Sequence, residues 1–141
     1  MVATDYPDYE GGKQRVYLVP EWAALNAVDK DLYKATNNLA AGMGSSGVYT
    51  VTAGKTLYIT DYTWSISANV AADRELNQMG VASIIDNTAG TTFVIEGGNG
   101  GGGASLNKPI IIPANHIVGY GVLNASNHAC DIRITAHGYE V

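Results

Sequence analysis

Residues 48–67 (VYTVTAGKTLYITDYTWSIS) constrain the fold of this chain more than any other segment. Val, Ile, Tyr, Trp and Thr suit a half-buried pleated surface, so the segment predicts two strands joined by a turn around Gly54. Gly54 tolerates the positive φ that such a turn requires. The longer strand is apolar on one face at Leu57 and Ile59 and on the other face from Tyr62 onward. This change of face predicts a bulge, of the kind that carries a strand from one sheet of a sandwich to the other.

Further strand-like segments follow without any βαβ rhythm. They span residues 79–86, 91–96, 105–112, 117–124 and 130–137. Pro109 cannot donate to a ladder, which predicts an edge position for its strand. Gly119 and Gly121 share one face of another strand and indicate that some other group approaches closely there. The pattern predicts an all-β fold, a jelly-roll-like β-sandwich or barrel of seven to eight antiparallel strands over residues 48–141.

The first 47 residues differ in character from the rest. Residues 1–15 are polar and lack periodicity, which predicts an extended N-terminal arm. Residues 21–41 have helix-forming composition and predict one helix or two short ones. Apolar residues spaced mostly by three and four carry that prediction: Trp22, Leu25, Val28, Leu32 and Leu39. A glycine-rich hinge over 42–47 would then separate an arm domain, 1–47, from a sandwich domain, 48–141.

Composition excludes several classes of function. The 141 residues suffice for one domain with its own core, and only 15% of them are charged, with a net charge of −5. No basic run exists, so the electrostatic footprint of a nucleic-acid-binding protein is missing. No apolar run approaches a membrane span or a signal-peptide core. The single cysteine, Cys130, excludes an internal disulfide and is predicted to be a small buried hydrophobe on the last strand.

The residues that usually carry chemistry do not form a recognisable motif. The three histidines, His116, His128 and His137, lack the close His-x-His pair and following Glu of a metal-binding jelly roll, and are predicted to be solvated. No Gly-x-Ser-x-Gly elbow occurs. The glycine-rich segment 97–103 is not followed by the Lys-Ser/Thr pair of a phosphate-binding loop and is predicted to be a flexible loop. We therefore expect no catalytic residues, no metal and no cofactor.

Aromatic residues concentrate near the N-terminus. They are Tyr6, Tyr9, Tyr17, Trp22 and Tyr33. Tyr and Trp supply large contact areas at low entropy cost and are enriched in interfaces. Either the arm folds back over its own barrel, or it also reaches a neighbouring subunit or partner. The shortage of aliphatic residues in the first fifteen positions favours the second interpretation.

Over residues 46–141 the pattern resembles phage capsid decoration (cement) proteins. The resemblance rests on T-A-G-K at 52–55 between two strands, I-I-I-P-A-N-H at 110–116, and the closing I-R-I-T-A-H-G-Y-E-V at 132–141. It implies a homotrimer that is made in the host cytoplasm and sits on the outer surface of an icosahedral head in the virion. Such a protein clamps subunits of the major capsid protein together, and its arm reaches onto neighbouring capsid subunits. The resemblance also implies that catalytic residues, cofactors, nucleic-acid contacts and membrane contacts are absent.

Two other classes of protein remain as alternatives. One is a trimeric receptor- or carbohydrate-binding head module of a phage tail fibre, against which stands the lack of a coiled-coil or collagen-like stalk near the N-terminus. The other is a small cupin-like enzyme, which the missing metal-binding pattern disfavours.

Overall fold

The structure, a computed structural model, describes residues 26–141, and two sheets of antiparallel strands account for 79 of these 116 residues. The eight strands are β1 (Val28–Leu39), β2 (Gly44–Thr50), β3 (Leu57–Ala68), β4 (Met79–Asp86), β5 (Thr91–Asn99), β6 (Gly101–Ile112), β7 (Ile117–Asn124) and β8 (Cys130–Glu140). One short 3₁₀ turn, Ala71–Asp73, lies between β3 and β4. Within the described range, no helix has the length and hydropathy needed to span a membrane.

The order of the strands is that of a jelly roll. One sheet has the order β1-β8-β3-β6 and the other has the order β2-β7-β4-β5. Only the β4–β5 hairpin joins neighbours in one sheet, and every other connection passes from one sheet to the other. This arrangement confirms the predicted all-β, jelly-roll-like sandwich. It also places β6, with Pro109, at an edge as predicted.

The core lies between the two sheets and is built from residues that alternate along each strand. In β8 the side chains of Cys130, Ile132, Ile134 and Ala136 are all fully buried, as the alternating sequence predicts. The facing sheet contributes Ala82, Ile84, Val118 and Val122. The inner faces of both sheets therefore follow from the period-2 pattern of the strands.

A bulge in β3 explains its change of apolar face. Leu57 and Ile59 are buried, and so are Tyr62 and Trp64 on the other side of a register shift between Ile59 and Asp61. The extra residue turns the second half of the strand over, so both halves present apolar side chains to one core. The bulge is confirmed, but the predicted passage between sheets is wrong, because β3 pairs with β8 along its whole length.

The predicted helix over 21–41 is wrong for the residues that the structure describes. β1 pairs with β8 from Val28 opposite Glu140 to Leu39 opposite Cys130, and Leu32 is buried opposite Ala136. The spacing of apolar residues fits a helix locally. Without β1, however, one edge of the apolar strand β8 would be unpaired. Pairing with that edge outweighs a weak intrinsic helix preference.

The predicted hinge over 42–47 is also wrong beyond its first residues. Gly42 lies in a turn with a positive φ of 75°, but β2 begins at Gly44 and pairs with β7. Because β1 and the first part of β2 belong to the two sheets, the sandwich begins upstream of the boundary predicted between 47 and 48.

The glycine-rich segment 97–103 is not the predicted flexible loop. It forms the end of β5 and the start of β6, and only Gly100 lies between the two strands. A methyl group on Gly101 would collide with the carbonyl oxygen of Trp64, and Gly101 also has a positive φ of 142°. Glycine therefore lets β6 lie directly against the backbone of β3.

Replacing Gly101 with Ala is expected to destabilise the sandwich by at least about 1–3 kcal/mol, because the alanine is strained in φ and collides with backbone. Urea unfolding followed by tryptophan fluorescence measures the change. Gly97→Ala is the matched control, since its nearest neighbour would be 3.8 Å away, in ordinary van der Waals contact. Equal midpoints for the two variants would contradict the prediction.

A buried carboxylate, Glu140, fastens the end of β8 to the β2–β3 connection. Its Oε1 atom accepts hydrogen bonds from the Tyr49 hydroxyl at 2.8 Å and from the Thr52 N–H at 3.1 Å. The Lys30 ammonium lies 3.6 Å from Oε2. Burial by itself would raise the pKa of Glu140, but these hydrogen bonds and the nearby cation outweigh it and hold the pKa below the ordinary 4.5.

The lowered pKa of Glu140 makes part of the stability depend on pH. The ionised form is stabilised in the folded state, so this contribution is complete above about pH 4.5 and is lost as the pH falls through the lowered pKa. We expect Glu140→Gln to lose about 1.5–3 kcal/mol at pH 7, the usual worth of hydrogen bonds to a charged group. Its deficit relative to wild type should shrink at pH 3, as measured by thermal unfolding. Glu75→Gln at an exposed position is the control, and an equal deficit at both pH values would refute the assignment.

Candidate protein-interaction surface

The outer face of the β2-β7-β4-β5 sheet is uncharged. The strands alternate, so the residues next to the core-facing ones point to the outside of the sandwich. We call this surface the neutral face, and its residues are Ser46, Val48, Val81, Ser83, Ile85, Ile95, Ile117, Gly119, Gly121 and Leu123. None of these ten residues of the described chain carries a charge, so the face offers neither an ion-pair partner nor a repulsive group.

Large apolar side chains of the neutral face are exposed. Ile95 on β5 is 72% exposed and Val48 on β2 is 65% exposed, and these two strands form the opposite edges of the sheet. Between them lies a shallow depression of about 460 Å³ with Val81, Ser83 and Leu123 among its lining residues. Contiguous apolar surface of this kind is unusual on a soluble monomer and marks interaction sites.

Glycines keep the middle of the neutral face low. A methyl group on Gly121 would lie 2.6 Å from the Ser45 carbonyl oxygen, and one on Gly119 would lie 2.8 Å from Asn87 Nδ2. The close approach predicted opposite these two glycines is therefore confirmed. Because β7 has no side chains at these two positions, the depression lies between two raised apolar edges.

The outer face of the β1-β8-β3-β6 sheet is different, because it carries charges. His137 on β8 lies with Nδ1 2.5 Å from Asp31 Oδ1 on β1 and with Nε2 3.9 Å from Asp61 Oδ1 on β3. Tyr58 and Tyr139 stack beside this cluster with ring centroids 5.2 Å apart. The two outer faces of the sandwich thus have opposite chemical characters.

The aromatic residues predicted to bind a partner fall mostly outside the described range. Tyr6, Tyr9, Tyr17 and Trp22 precede residue 26, so their contacts stay a prediction. Tyr33 is described, and it lies on β1 opposite Thr135 with 57% of its surface exposed. It belongs to the charged outer face, so the structure does not bring it to the neutral face.

The three histidines have separate surroundings. His116 Nδ1 lies 2.7 Å from the buried Asp86, whose other oxygen accepts hydrogen bonds from the N–H groups of Thr88 and Ala89 in the β4–β5 turn. Burial would raise the pKa of Asp86, but these partners outweigh it and lower the pKa. His128 Nε2 lies 3.0 Å from Gln78 Oε1.

Asp86 and His116 therefore form a turn-stabilising pair, which the sequence did not reveal. The prediction that the histidines are solvated is incomplete for His116, because its imidazole also contacts the buried Asp86 carboxylate. Over residues 26–141, no group of three or more His, Cys, Asp and Glu side chains has the arrangement of a metal site.

A polar depression of about 430 Å³ lies at the opposite end of β8 from Glu140. Asn69, Arg74, Gln78 and Asp131 line it together with Ile66, Ser67 and Ala68. The Asn38 N–H and the Asn69 amide donate hydrogen bonds to Asp131 and lower its pKa. The polar side chains of this depression could contact a small ligand, but its lining includes no aromatic ring.

Comparison with protein-family models and with curated proteins yields no match to this chain.

Proposed function

We propose that this chain is a structural viral protein that decorates the outside of an icosahedral phage head. It binds the head as a trimer and stabilises contacts between subunits of the major capsid protein. Two things support the proposal: the jelly-roll sandwich, an architecture used by viral capsid proteins, and the resemblance of the turn and strand motifs over residues 46–141. The role needs contact surfaces rather than catalytic residues.

The neutral face is the observation that carries the proposal. Exposure of Ile95, Val48 and Leu123 to water costs free energy, and covering them with another protein is favourable because it removes apolar surface from water. A cement protein must bury such surface against protein, whereas an enzyme or a small-ligand binder requires a concave site with a few convergent polar groups. In this proposal, residues 1–25 contact the capsid through their aromatic side chains.

The proposal is tested by adding the purified chain to heads assembled from the major capsid protein of the same virus. We expect it to co-sediment with the heads and to raise their temperature of disruption. Its stoichiometry on the head should be a multiple of three. Heads that neither retain the chain nor gain stability would contradict the proposal.

A second candidate is a receptor- or carbohydrate-binding head of a tail fibre. The polar depression at Asn69, Arg74 and Asp131 favours it, since amide, guanidinium and carboxylate groups hydrogen-bond to sugar hydroxyls. Against it, the lining has no ring on which a sugar could stack. Binding of the chain to host-cell glycans, abolished by Asp131→Ala and kept by Asp73→Ala, would favour this candidate over capsid decoration.

A further inference from the structure

We propose that the neutral face is the surface on which a second copy of this chain docks. This inference rests on the proposed function, which requires self-association, and it assigns that association to particular residues. Ser46, Val48, Ser83, Ile95 and Leu123 form its central part. The capsid then contacts other parts of the molecule.

The net charge of the chain favours a second copy as the partner that covers the neutral face. The chain has a net charge of −5, so two copies repel unless their contact excludes the acidic side chains. In a closed trimer, residues close to the three-fold axis meet their equivalents, so docking through the charged outer face at that axis would gather Asp31 and Asp61 of three copies. The neutral face avoids this repulsion, and it has no charge with which to select a basic or an acidic partner.

The size of the neutral face fits such a contact. Strands of about eight residues at about 3.3 Å per residue, four abreast at about 4.8 Å, span on the order of 500 Å² before side-chain relief is counted. A stable interface of standard size buries about 800 Å² on each partner. The neutral face therefore supplies more than half of that area, and exposed Phe93 and Met79 beside it extend the apolar surface.

The relief of the neutral face is suited to the same contact. Val48 and Ile95 stand at the two edges, and the glycines of β7 leave the depression between them. A raised apolar edge of one copy can enter the depression of the next copy. Contacts of this kind bury aliphatic side chains on both sides and bury no charged group.

The test compares two lysine substitutions on edge strands of the two sheets. Ile95→Lys places a charge on the neutral face, whereas Ile111→Lys makes the same change on β6, on the charged outer face, where Ile111 is 54% exposed. Light scattering on the full chain measures the mass. We expect three times the chain mass of 14.8 kDa for wild type and for Ile111→Lys, and a single chain mass for Ile95→Lys. Val48→Lys is a second variant at the other edge and should behave like Ile95→Lys.

Circular dichroism and thermal unfolding must show that each variant is folded. A monomeric wild type, or an oligomer that survives both Ile95→Lys and Val48→Lys, would overturn the inference. Loss of the oligomer in Ile111→Lys with retention in Ile95→Lys would also overturn it. Head binding is measured separately: if an oligomer that depends on the neutral face fails to bind heads, the proposed function fails but this inference stands.

Discussion

Removing residues 1–20 is expected to leave a folded sandwich whose affinity for heads is at least about 100-fold lower than that of the full chain. The described core residues begin at Leu32, and β1 begins at Val28, so the deletion removes none of the eight described strands. The expected loss of binding comes from aromatic contacts. One ring that buries about 150 Å² contributes about 4 kcal/mol, and three arms acting together raise avidity by about 10² to 10⁴.

The truncated chain should therefore unfold close to the wild-type temperature but fail to co-sediment with undecorated heads. Tyr6→Ala combined with Tyr9→Ala should weaken binding in the same direction by a smaller factor. The matched control replaces the same two residues with Phe, which keeps both rings and should retain most of the binding. If the truncated chain stabilises heads as well as the full chain does, the first twenty residues contribute nothing to binding and this part of the proposed function is wrong.

Replacing Trp64 with Ala is expected to cost about 3–5 kcal/mol of the free energy of unfolding, as for other large core residues. Trp64 on β3 is buried, and its ring occupies the space left by two glycines of the facing sheet. A methyl group on Gly80 would lie 2.8 Å from ring atom Cζ3, and one on Gly98 would lie 3.5 Å from Cζ2. Neighbours without side chains cannot move in to fill the cavity, so most of the loss should persist.

Trp64→Phe should cost less than half as much as Trp64→Ala. The indole Nε1 is buried with no hydrogen-bond acceptor among residues 26–141, and an unsatisfied buried donor costs about 1–3 kcal/mol. Phe removes that donor and keeps most of the apolar ring, so the two effects partly cancel. Urea unfolding followed by circular dichroism, which does not depend on tryptophan fluorescence, measures both variants. Equal losses for Phe and Ala would contradict the prediction.

The sequence alone determined the strands that alternate clearly and the turns between them. In β8, alternation of Cys130, Ile132 and Ile134 with charged residues specifies both the strand and its buried face, because side chains of a strand alternate with period two. Gly54, with a positive φ of 76°, marks a turn for a similarly local reason. Local signals of this kind predicted seven of the eight strands, β2 to β8, at least in part, and they also predicted the jelly-roll-like class.

Tertiary structure decided the state of the segments whose local pattern is ambiguous. Residues 28–39 satisfy a helical spacing, and only the free edge of β8 makes them a strand. Residues 97–103 have the composition of a flexible linker, and only the backbone of β3 beneath Gly101 explains why glycine continues a strand there. Both errors have one cause, since pairing between distant segments cannot be read from neighbouring residues.

The neutral face also depends on tertiary structure alone. Val48, Val81, Ile95 and Leu123 are far apart in the sequence, and each is an ordinary outward residue of its own strand. The order β2-β7-β4-β5 places them on one surface and leaves the carboxylates of Asp31 and Asp61 on the other. The sequence determined which residues point outward, because that depends on the period of a strand. Only the order of the strands in the sheets determined which outward residues became neighbours.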